Sequence, residues 1–391
     1  MKRVIVLGAT GSVGRNVLDV IANHRDAYHV TALVAGRDVE GIDALARSFN
    51  PDFVALADEA SGPQLKTALS GSGIASGAGR SAVMEAVRRE CDLVVAGIVG
   101  TAGLEPTFAA VEMGRTIALA NKECLVSAGS AFMAGVERYG AKILPLDSEH
   151  NALFQLLEGH DRSAITRMTL TASGGPFRSW SKQEIDRAGP DVALLHPNWS
   201  MGPKITIDSA SLMNKGLELI EAHHLFGITA DRLDVLVHPQ SIVHGLIAFR
   251  DGSLLAGLAA PDMRVPAAHC LAYPQRLETG IAAPDLAELG QLNFEKADLS
   301  RFPCLHLAME AMRMDGFMPC VLNAANEVAV ETFLGGGYRF SLIAGLVERV
   351  LDKAVSWQMQ AGSIADCLEI DRMARACAQN ILNNEASFWA H

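Results

Sequence analysis

The chain has 391 residues, of which 49% are hydrophobic and 20% charged, and its formal net charge is −11. This composition is globular and excludes a disordered or fibrous protein, and the length predicts two or three domains. The negative charge argues against broad binding to nucleic acid or to an anionic membrane, although a few local cations suffice for a small anionic substrate.

The N-terminus and the cysteines both favour a cytoplasmic protein. The apolar run from Val4 to Leu7 is far shorter than the core of a signal peptide, and no stretch reaches the roughly 20 apolar residues of a membrane span. The seven cysteines include no CxxC pair, so neither a disulfide framework nor a structural zinc site is indicated. We therefore expect a reducing compartment and no membrane partner.

Residues 1–147 alternate β-rich runs with segments of helical spacing. Continuous apolar runs predict strands at 4–8, 30–36, 52–57, 92–100, 116–120 and 142–147. Strands of this kind, separated by helices, are typical of a parallel sheet covered on both faces. The sequence therefore predicts a doubly wound α/β domain.

The pattern changes after this domain. Residues 148–272 predict an α+β domain, and residues 273–300 predict a linker with Pro274 and Pro284. Helical spacing dominates residues 301–391, which predict a helical bundle.

A glycine-rich turn, GATGSVG at 8–14, follows the first strand and opens a helix. Glycines at such a turn let backbone N–H groups approach a pyrophosphate at the positive end of the helix dipole, although any tight turn favours glycine. The second strand ends in Gly36, Arg37 and Asp38. An arginine there accommodates a 2′-phosphate, whereas a carboxylate usually holds a ribose 2′-hydroxyl. The pattern favours NADP, the alternative being two solvated loop charges.

Two carboxylates, Asp147 and Glu149, are two residues apart where the sixth predicted strand ends. Period-two geometry predicts that both point to one side of the strand, where a cation would relieve their repulsion. Hard oxygen ligands suit Mg²⁺ or Mn²⁺. The alternative is a helix N-cap at Asp147 with Glu149 in the first turn.

The segment IDSASLMNKGLE at 207–218 concentrates hydroxyls, an amide and an ammonium group, which together suit a phosphate. In a helix, Asn214 and Glu218 share a face, and the alternative is a routine surface pair. Ser173, in a Gly-rich loop, adds another hydroxyl.

Two other segments carry candidate ligand contacts. HPNWSMG at 196–202 places Trp199 and Met201 where Pro and Gly prevent regular structure, so it is either a core anchor or a lid over a ligand. Lys122 follows a strand at the carboxyl edge of the sheet and is either a functional cation or a helix-entry lysine. We interpret His238 and His244 as structural or interface residues.

Taken in order, these segments resemble the 1-deoxy-D-xylulose 5-phosphate reductoisomerase family. The resemblance runs through GATGSVG, ALVAGR, ANKE, LPLDSEHNALFQ, ASGGPFR, HPNWSMGPKITIDSASLMNKGLELIEA, HPQSIVHG and NAANEVAV and covers nearly the whole chain. It implies a Rossmann-like N-terminal domain, a central α+β catalytic and dimerisation domain and a C-terminal helical bundle. It also implies a homodimer and inhibition by phosphonohydroxamates of the fosmidomycin type.

The resemblance also implies roles for individual residues. The implied ligands of Mg²⁺ or Mn²⁺ are Asp147, Glu149 and Glu218. The implied contacts of the substrate phosphate are Ser173, Ser209, Asn214 and Lys215, and those of the sugar are Lys122, Ser148 and His196. The implied NADPH contacts are Thr10, Gly11, Ser12, Val13, Gly36, Arg37, Asn121, Glu123 and Gly202, with Trp199 and Met201 on the lid. Many family members carry Asn where this chain has Asp38, which leaves the contact to the 2′-phosphate open.

The implied reaction converts the sugar phosphate 1-deoxy-D-xylulose 5-phosphate into 2-C-methyl-D-erythritol 4-phosphate, by a retro-aldol and aldol rearrangement followed by reduction with NADPH. Two rival hypotheses remain. A semialdehyde dehydrogenase would use Cys124 as its nucleophile, and a non-catalytic NADP sensor would bind the nucleotide without turnover.

Overall fold

The computed structural model describes residues 1–199 and 201–389, so Ser200 of the predicted lid and the last two residues of the predicted C-terminal domain lie outside it. The described residues fall into two compact units. Unit 1 comprises residues 1–124, 134–151 and 262–281, and unit 2 comprises residues 125–133, 152–261 and those from 282 onward.

The sheet of unit 1 is parallel, and its described strands lie in the order β4-β3-β2-β1-β5-β6-β7. Its strands are β1 Lys2–Leu7, β2 Tyr28–Ala35, β3 Phe53–Leu56, β4 Ala75–Ala78, β5 Leu93–Ala96, β6 Thr116–Leu119 and β7 Lys142–Pro145. Buried apolar residues fill the central strands, because helices cover both faces. The predicted doubly wound α/β fold is confirmed.

Helices follow the strands of unit 1 in alternation. They are α1 Ser12–Ala22, α2 Val39–Phe49, α3 Gly62–Ala68, α4 Gly79–Arg88 and α5 Leu104–Glu112, joined later in the chain by α12 Arg264–Ala272. Two further helices, α6 Glu123–Tyr139 and α7 Ser148–Leu157, each include residues of both units. The segments around residues 10, 36, 121 and 147 all follow the carboxyl ends of strands, which is where sheets of this kind bind ligands.

Unit 2 contains a mixed sheet in the order β11-β10-β8-β9-β12, within the described residues. Its strands are β8 Ile165–Ala172, β9 Leu233–Val237, β10 Val243–Phe249, β11 Leu254–Leu258 and β12 Glu295–Lys296. β8 and β9 pair in parallel, and the other pairs are antiparallel. β12 belongs to the segment predicted as a linker, and it adds a short edge to this sheet.

The remaining helices belong to unit 2. They are α8 Lys182–Asp186, α9 Pro190–Ala193, α10 Pro203–Ala210, α11 Met213–Phe226, α13 Leu286–Leu289, α14 Pro303–Met314, α15 Met318–Leu334, α16 Leu342–Ala354 and α17 Ile364–Trp389. Helix α15 is buried along most of its length, as its largely apolar sequence predicts. The predicted C-terminal helical bundle is confirmed, and among the described residues no helix has the length and apolar character needed to cross a bilayer.

Candidate active site

The glycine-rich turn joins β1 to α1. Gly8 has φ +83°, and a Cβ there would lie 2.4 Å from the carbonyl oxygen of Gly97. A Cβ at Gly14 would lie 2.4 Å from the carbonyl oxygen of Gly8. Helix α1 begins at Ser12, and no side chain caps it at Gly11. The turn therefore leaves backbone N–H groups at a helix N-terminus open to an anion such as a pyrophosphate.

The tip of β2 carries Gly36, Arg37 and Asp38, all exposed. No atom lies within 4 Å of a Cβ built on Gly36, so there is room for a ligand. The Asp38 carboxylate accepts a hydrogen bond of 2.9 Å from the Gly41 N–H and thereby caps α2. The departure from the family pattern at this position has a local structural role.

The segment after β6 supplies a buried cation. Lys122 forms an ion pair with Asp147, and only 8% and 13% of their side chains are exposed. The side chain of its neighbour Asn121 is held by the protein, since Oδ1 accepts from the Cys124 N–H at 2.8 Å and Nδ2 donates to the Gly100 carbonyl at 2.9 Å. This segment is therefore fixed in place at the carboxyl edge of the sheet.

The carboxylates Asp147 and Glu149 do not lie on a strand. β7 ends at Pro145 and α7 begins at Ser148, so the prediction that both carboxylates point to one side of a strand is wrong. Asp147 directly precedes the helix, its carbonyl accepts the Asn151 N–H at 2.8 Å, and Glu149 lies in the first turn. Sequence alternation misses this because the apolar run continues to Leu146, although the strand itself ends at Pro145, two residues before Asp147. The helix dipole stabilises negative charge here, so a cap and a metal site are compatible.

Ser173 follows β8, and its hydroxyl oxygen lies in a defined hydrogen-bond network. It accepts from the Gly175 N–H at 3.1 Å and lies 3.1 Å from Nε2 of His196. Nδ1 of His196 accepts from the backbone N–H groups of Asn198 and Trp199, at 3.1 and 2.9 Å. Since Nδ1 is an acceptor, the hydrogen of the neutral ring is on Nε2 and is donated to Ser173.

This network determines what the Ser173 hydroxyl can do. Both lone pairs of its oxygen accept hydrogen bonds, so its own hydrogen is left to donate to a further acceptor. Burial lowers the pKa of His196 to about 4, so the ring is neutral near pH 7. The loop thus presents an oriented hydroxyl donor, which suits an anion.

Two consecutive helices carry the other predicted phosphate contacts. α10 ends at Ala210 and α11 begins at Met213, and between them Leu212 adopts the left-handed conformation at φ +58°. A bulky residue is strained in this conformation, and the strain persists only where the surrounding structure holds the backbone in place. This sharp joint brings Ser209, near the end of one helix, close in sequence and space to the first turn of the next.

Helix α11 places a cation and a carboxylate on one face. Lys215 and Glu218 form an ion pair and are 3% and 1% exposed. Asn214 donates from Nδ2 to the same carboxylate, and its buried Oδ1 has no hydrogen-bond partner among the described residues. The alternative of a routine surface pair is therefore wrong, because the contact between Asn214 and Glu218 is largely buried.

A buried polar contact supports this segment, and none of the sequence patterns predicts it. Asp208 is 1% exposed, and its carboxylate lies 2.9 Å from Nζ of Lys204 and accepts a hydrogen bond of 2.8 Å from Nδ2 of Asn326. Asn326 lies in the buried helix α15, where polar side chains need partners. The available signal in the sequence was a pair of asparagines, Asn323 and Asn326, within the apolar run of this helix.

The predicted lid is tied to its surroundings on one side. Asn198 donates from Nδ2 to the Pro239 carbonyl at 2.8 Å and to the Ser241 hydroxyl at 2.9 Å. Trp199 and Met201 are partly buried, and Gly202 caps α10 with no atom within 4 Å of a built Cβ. The segment is therefore an anchored loop beside the Ser173 network.

The three remaining candidate residues, His238, His244 and Cys124, are buried. His238 is fully buried, with Nδ1 2.8 Å from the Asn293 carbonyl and its ring stacked on Phe294 at 4.6 Å. His244 is 3% exposed. Cys124 is fully buried as well, which denies a substrate carbonyl access to its thiol and argues against the semialdehyde dehydrogenase hypothesis.

Family models match most of the chain. Residues 4–129 match 1-deoxy-D-xylulose 5-phosphate reductoisomerase, residues 143–226 match its C-terminal domain, and residues 258–377 match the DXP reductoisomerase C-terminal domain. These matches cover the cofactor turn and the residues of both predicted ligand sites.

Individual relatives agree over almost their full length. The 1-deoxy-D-xylulose 5-phosphate reductoisomerases of Bradyrhizobium sp. (strain ORS 278) and Rhodopseudomonas palustris (strain TIE-1) are 52% and 53% identical over 384 residues, 98% of this chain and 94% of each relative. The Zymomonas mobilis enzyme, solved with NADPH, is 45% identical, with a TM-score of 0.91 over 97% of this chain and 99% of that one. A DOX-P reductoisomerase solved with NADPH, fosmidomycin and magnesium is 39% identical, with a TM-score of 0.93 over 98% and 99%. This chain belongs to the 1-deoxy-D-xylulose 5-phosphate reductoisomerase family.

Proposed function

We propose that this chain is an NADPH-dependent enzyme that converts 1-deoxy-D-xylulose 5-phosphate into 2-C-methyl-D-erythritol 4-phosphate. The observation that carries the proposal is the agreement over 98% of the chain with named reductoisomerases. A structural relative that binds NADPH, fosmidomycin and magnesium supports the same cofactors here. A non-catalytic NADP sensor would need neither a carboxylate set nor a phosphate site.

We propose that Asp147, Glu149 and Glu218 hold Mg²⁺ or Mn²⁺. The donor set fits, because all three side chains are carboxylates and hard divalent cations prefer oxygen ligands. When bound, the ion would polarise the substrate carbonyl and stabilise the negative charge that develops on it. Two of these carboxylates also form ion pairs, Asp147 with Lys122 and Glu218 with Lys215.

We propose that Ser173, Ser209, Asn214 and Lys215 bind the substrate phosphate. The two hydrogen bonds that the Ser173 hydroxyl accepts leave its hydrogen to donate, and Lys215 supplies a buried positive charge. Holding the phosphate keeps the two fragments of the cleaved carbon skeleton together until they recombine, which is a proximity effect.

We propose that Lys122, Ser148 and His196 contact the sugar, with Trp199 and Met201 closing over it. Lys122 is a buried cation that can stabilise an oxyanion, and the Ser148 hydroxyl donates to Glu149 and so orients that carboxylate. The neutral His196 ring joins the lid backbone to Ser173, so closing the lid and ordering the phosphate contact would be linked.

We propose that NADPH binds along the glycine-rich turn and the tip of β2. The proposed contacts are Thr10, Gly11, Ser12, Val13, Gly36, Arg37, Asp38, Asn121, Glu123 and Gly202. The turn fits a dinucleotide, because side chains at Gly8 and Gly14 would collide with backbone and the N-terminus of α1 is uncapped. The cofactor supplies the hydride that completes the reaction.

The activity should depend on a divalent metal. Purified protein with 1-deoxy-D-xylulose 5-phosphate and NADPH is expected to oxidise NADPH, measured as falling nicotinamide absorbance, with Mg²⁺ or Mn²⁺ and to stop in excess chelator. Restoring the metal after chelation should restore the rate, which separates metal loss from unfolding. Folded protein that binds NADPH but shows no oxidation with either metal would overturn the proposed function.

The titration of His196 tests the network at Ser173. In an NMR titration of protein with isotope-labelled histidines, comparison with His196→Gln identifies the signals of the His196 ring. The chemical shifts of its two nitrogens should show hydrogen on Nε2 at pH 7 and a pKa near 4. This pKa lies below the value of about 6.5 in the unfolded chain, so the folded state binds fewer protons between the two. The contribution of His196 to the free energy of unfolding is therefore complete above pH 6.5 and is lost as the pH falls through this range. Hydrogen on Nδ1, or a midpoint above pH 6, would contradict the network.

We further propose a cytoplasmic homodimer. β11 is an edge strand with Leu254 and Leu258 exposed by 59% and 40%, and exposed apolar edges favour pairing with another chain. The seven cysteines of the sequence include no CxxC pair, which favours a reducing compartment. Sedimentation velocity should give twice the chain mass, and a monomer at micromolar concentration would refute the dimer.

A further inference from the structure

Arg15 spans the gap between the glycine-rich turn and the tip of β2. It lies in α1 directly after Gly14, and its Nε donates a hydrogen bond of 2.9 Å to the Thr10 carbonyl. Its Nη2 lies 4.0 Å from the Asp38 carboxylate. Both charged side chains are about half exposed, at 57% and 47%, so a ligand can reach them.

Asp38 would by itself disfavour a 2′-phosphate. A carboxylate at the tip of the second strand usually accepts the ribose 2′-hydroxyl and repels a phosphate there. In this chain one oxygen of Asp38 accepts the Gly41 N–H at 2.9 Å, and the other faces Arg15. The carboxylate is therefore turned toward the start of α2 and partly neutralised.

The tip of β2 offers positive charge and space for a phosphate. Arg37 is exposed and makes no hydrogen bond or ion pair with the described residues, and no atom lies within 4 Å of a Cβ built on Gly36. Two arginines therefore neighbour the carboxylate that caps α2, Arg15 in space and Arg37 in sequence. A guanidinium binds phosphate through two parallel N–H groups. An exposed ion pair with a carboxylate contributes little stability, so an arginine can exchange such a carboxylate for a phosphate.

We propose that Arg15 determines the cofactor specificity of this chain, by neutralising Asp38 and binding the 2′-phosphate of NADPH together with Arg37. Arg15 acts in two ways: it attracts the phosphate, and it suppresses repulsion by Asp38. The inference rests on NADPH as the cofactor of the proposed function, and it is tested by binding alone, so it can fail while the reaction stands.

The test measures dissociation constants for NADPH and NADH by fluorescence and for 2′,5′-ADP and 5′-AMP by calorimetry. Arg15→Gln is expected to weaken binding of NADPH and of 2′,5′-ADP by about tenfold, the value of a charge-assisted hydrogen bond, and to leave NADH and 5′-AMP within roughly twofold. Arg88→Gln, a change of the same type at an exposed helical position far along the chain, is the matched control and should change none of the four.

The double variant isolates the second action of Arg15. Asn can cap α2 as Asp does, so Asp38→Asn should leave α2 intact, and its NADPH affinity is the reference for the double variant. In the Asp38→Asn background, Arg15→Gln should cost about threefold rather than tenfold, because the repulsive carboxylate is gone. Equal losses for NADPH and NADH would show that Arg15 only supports the turn through Thr10. Unchanged affinity for NADPH and for NADH would show that Arg15 only forms a surface ion pair with Asp38. Either of these two results overturns the proposal.

Discussion

Replacing Glu218 with glutamine is expected to lower kcat by about 10³-fold while leaving the dissociation constant for NADPH nearly unchanged. The change keeps the shape of the side chain and removes the negative charge that we propose binds the metal. Glu218 lies in unit 2, whereas the glycine-rich turn that we propose for NADPH lies in unit 1. Kinetics with saturating Mn²⁺ and fluorescence titration with NADPH provide the two measurements.

The control for this variant must separate metal binding from stability. Glu218 forms a buried ion pair with Lys215, so Glu218→Gln also lowers the free energy of unfolding by disturbing that pair. Glu158→Gln, the same change at an exposed position, should leave both kcat and stability unchanged. Equal losses of turnover and of NADPH binding in folded Glu218→Gln protein would show that Glu218 does not act through the metal.

The parallel sheet could be predicted from the sequence because its strands are buried on both faces. Such strands appear as continuous apolar runs, and all six predicted runs overlap strands of unit 1. β4, with the sequence ASGA, has no apolar run and lies at the edge of the sheet, so its pairing with β3 depends on tertiary contacts alone. β12 is missed for the same reason, since two exposed polar residues become a strand only beside β9.

The candidate site was predictable in its residue types and less so in its local geometry. Asp147 and Glu149 stand out as adjacent carboxylates, but alternation cannot show that the strand ends before them and that a helix begins at Ser148. The link between Asp208 and Asn326 joins residues 118 positions apart in the chain, and only the fold brings them together. The partner of Asp38 is likewise set by the geometry of the turn, which places Arg15 opposite the neighbouring strand tip.

Lys215→Ala should mainly raise the Michaelis constant for 1-deoxy-D-xylulose 5-phosphate, by roughly 10- to 100-fold. A charge-assisted hydrogen bond contributes about 1.5–3 kcal/mol, and a phosphate distant from the reacting carbons contributes binding energy in both the ground state and the transition state. Steady-state kinetics over a range of substrate concentrations measures the change. Lys353→Ala, in an exposed part of α16, is the matched control.

The changes in KM and kcat distinguish whether Lys215 mainly binds the substrate phosphate or mainly holds the Glu218 carboxylate. If Lys215 serves the phosphate, KM rises while kcat changes little, and an inhibitor with a phosphonate loses affinity in parallel. If its main role is to hold the Glu218 carboxylate, with which it pairs in this structure, kcat falls and saturating metal partly restores it. An unchanged KM would remove Lys215 from the phosphate site and leave Ser173, Ser209 and Asn214 to bind the anion without a buried cation.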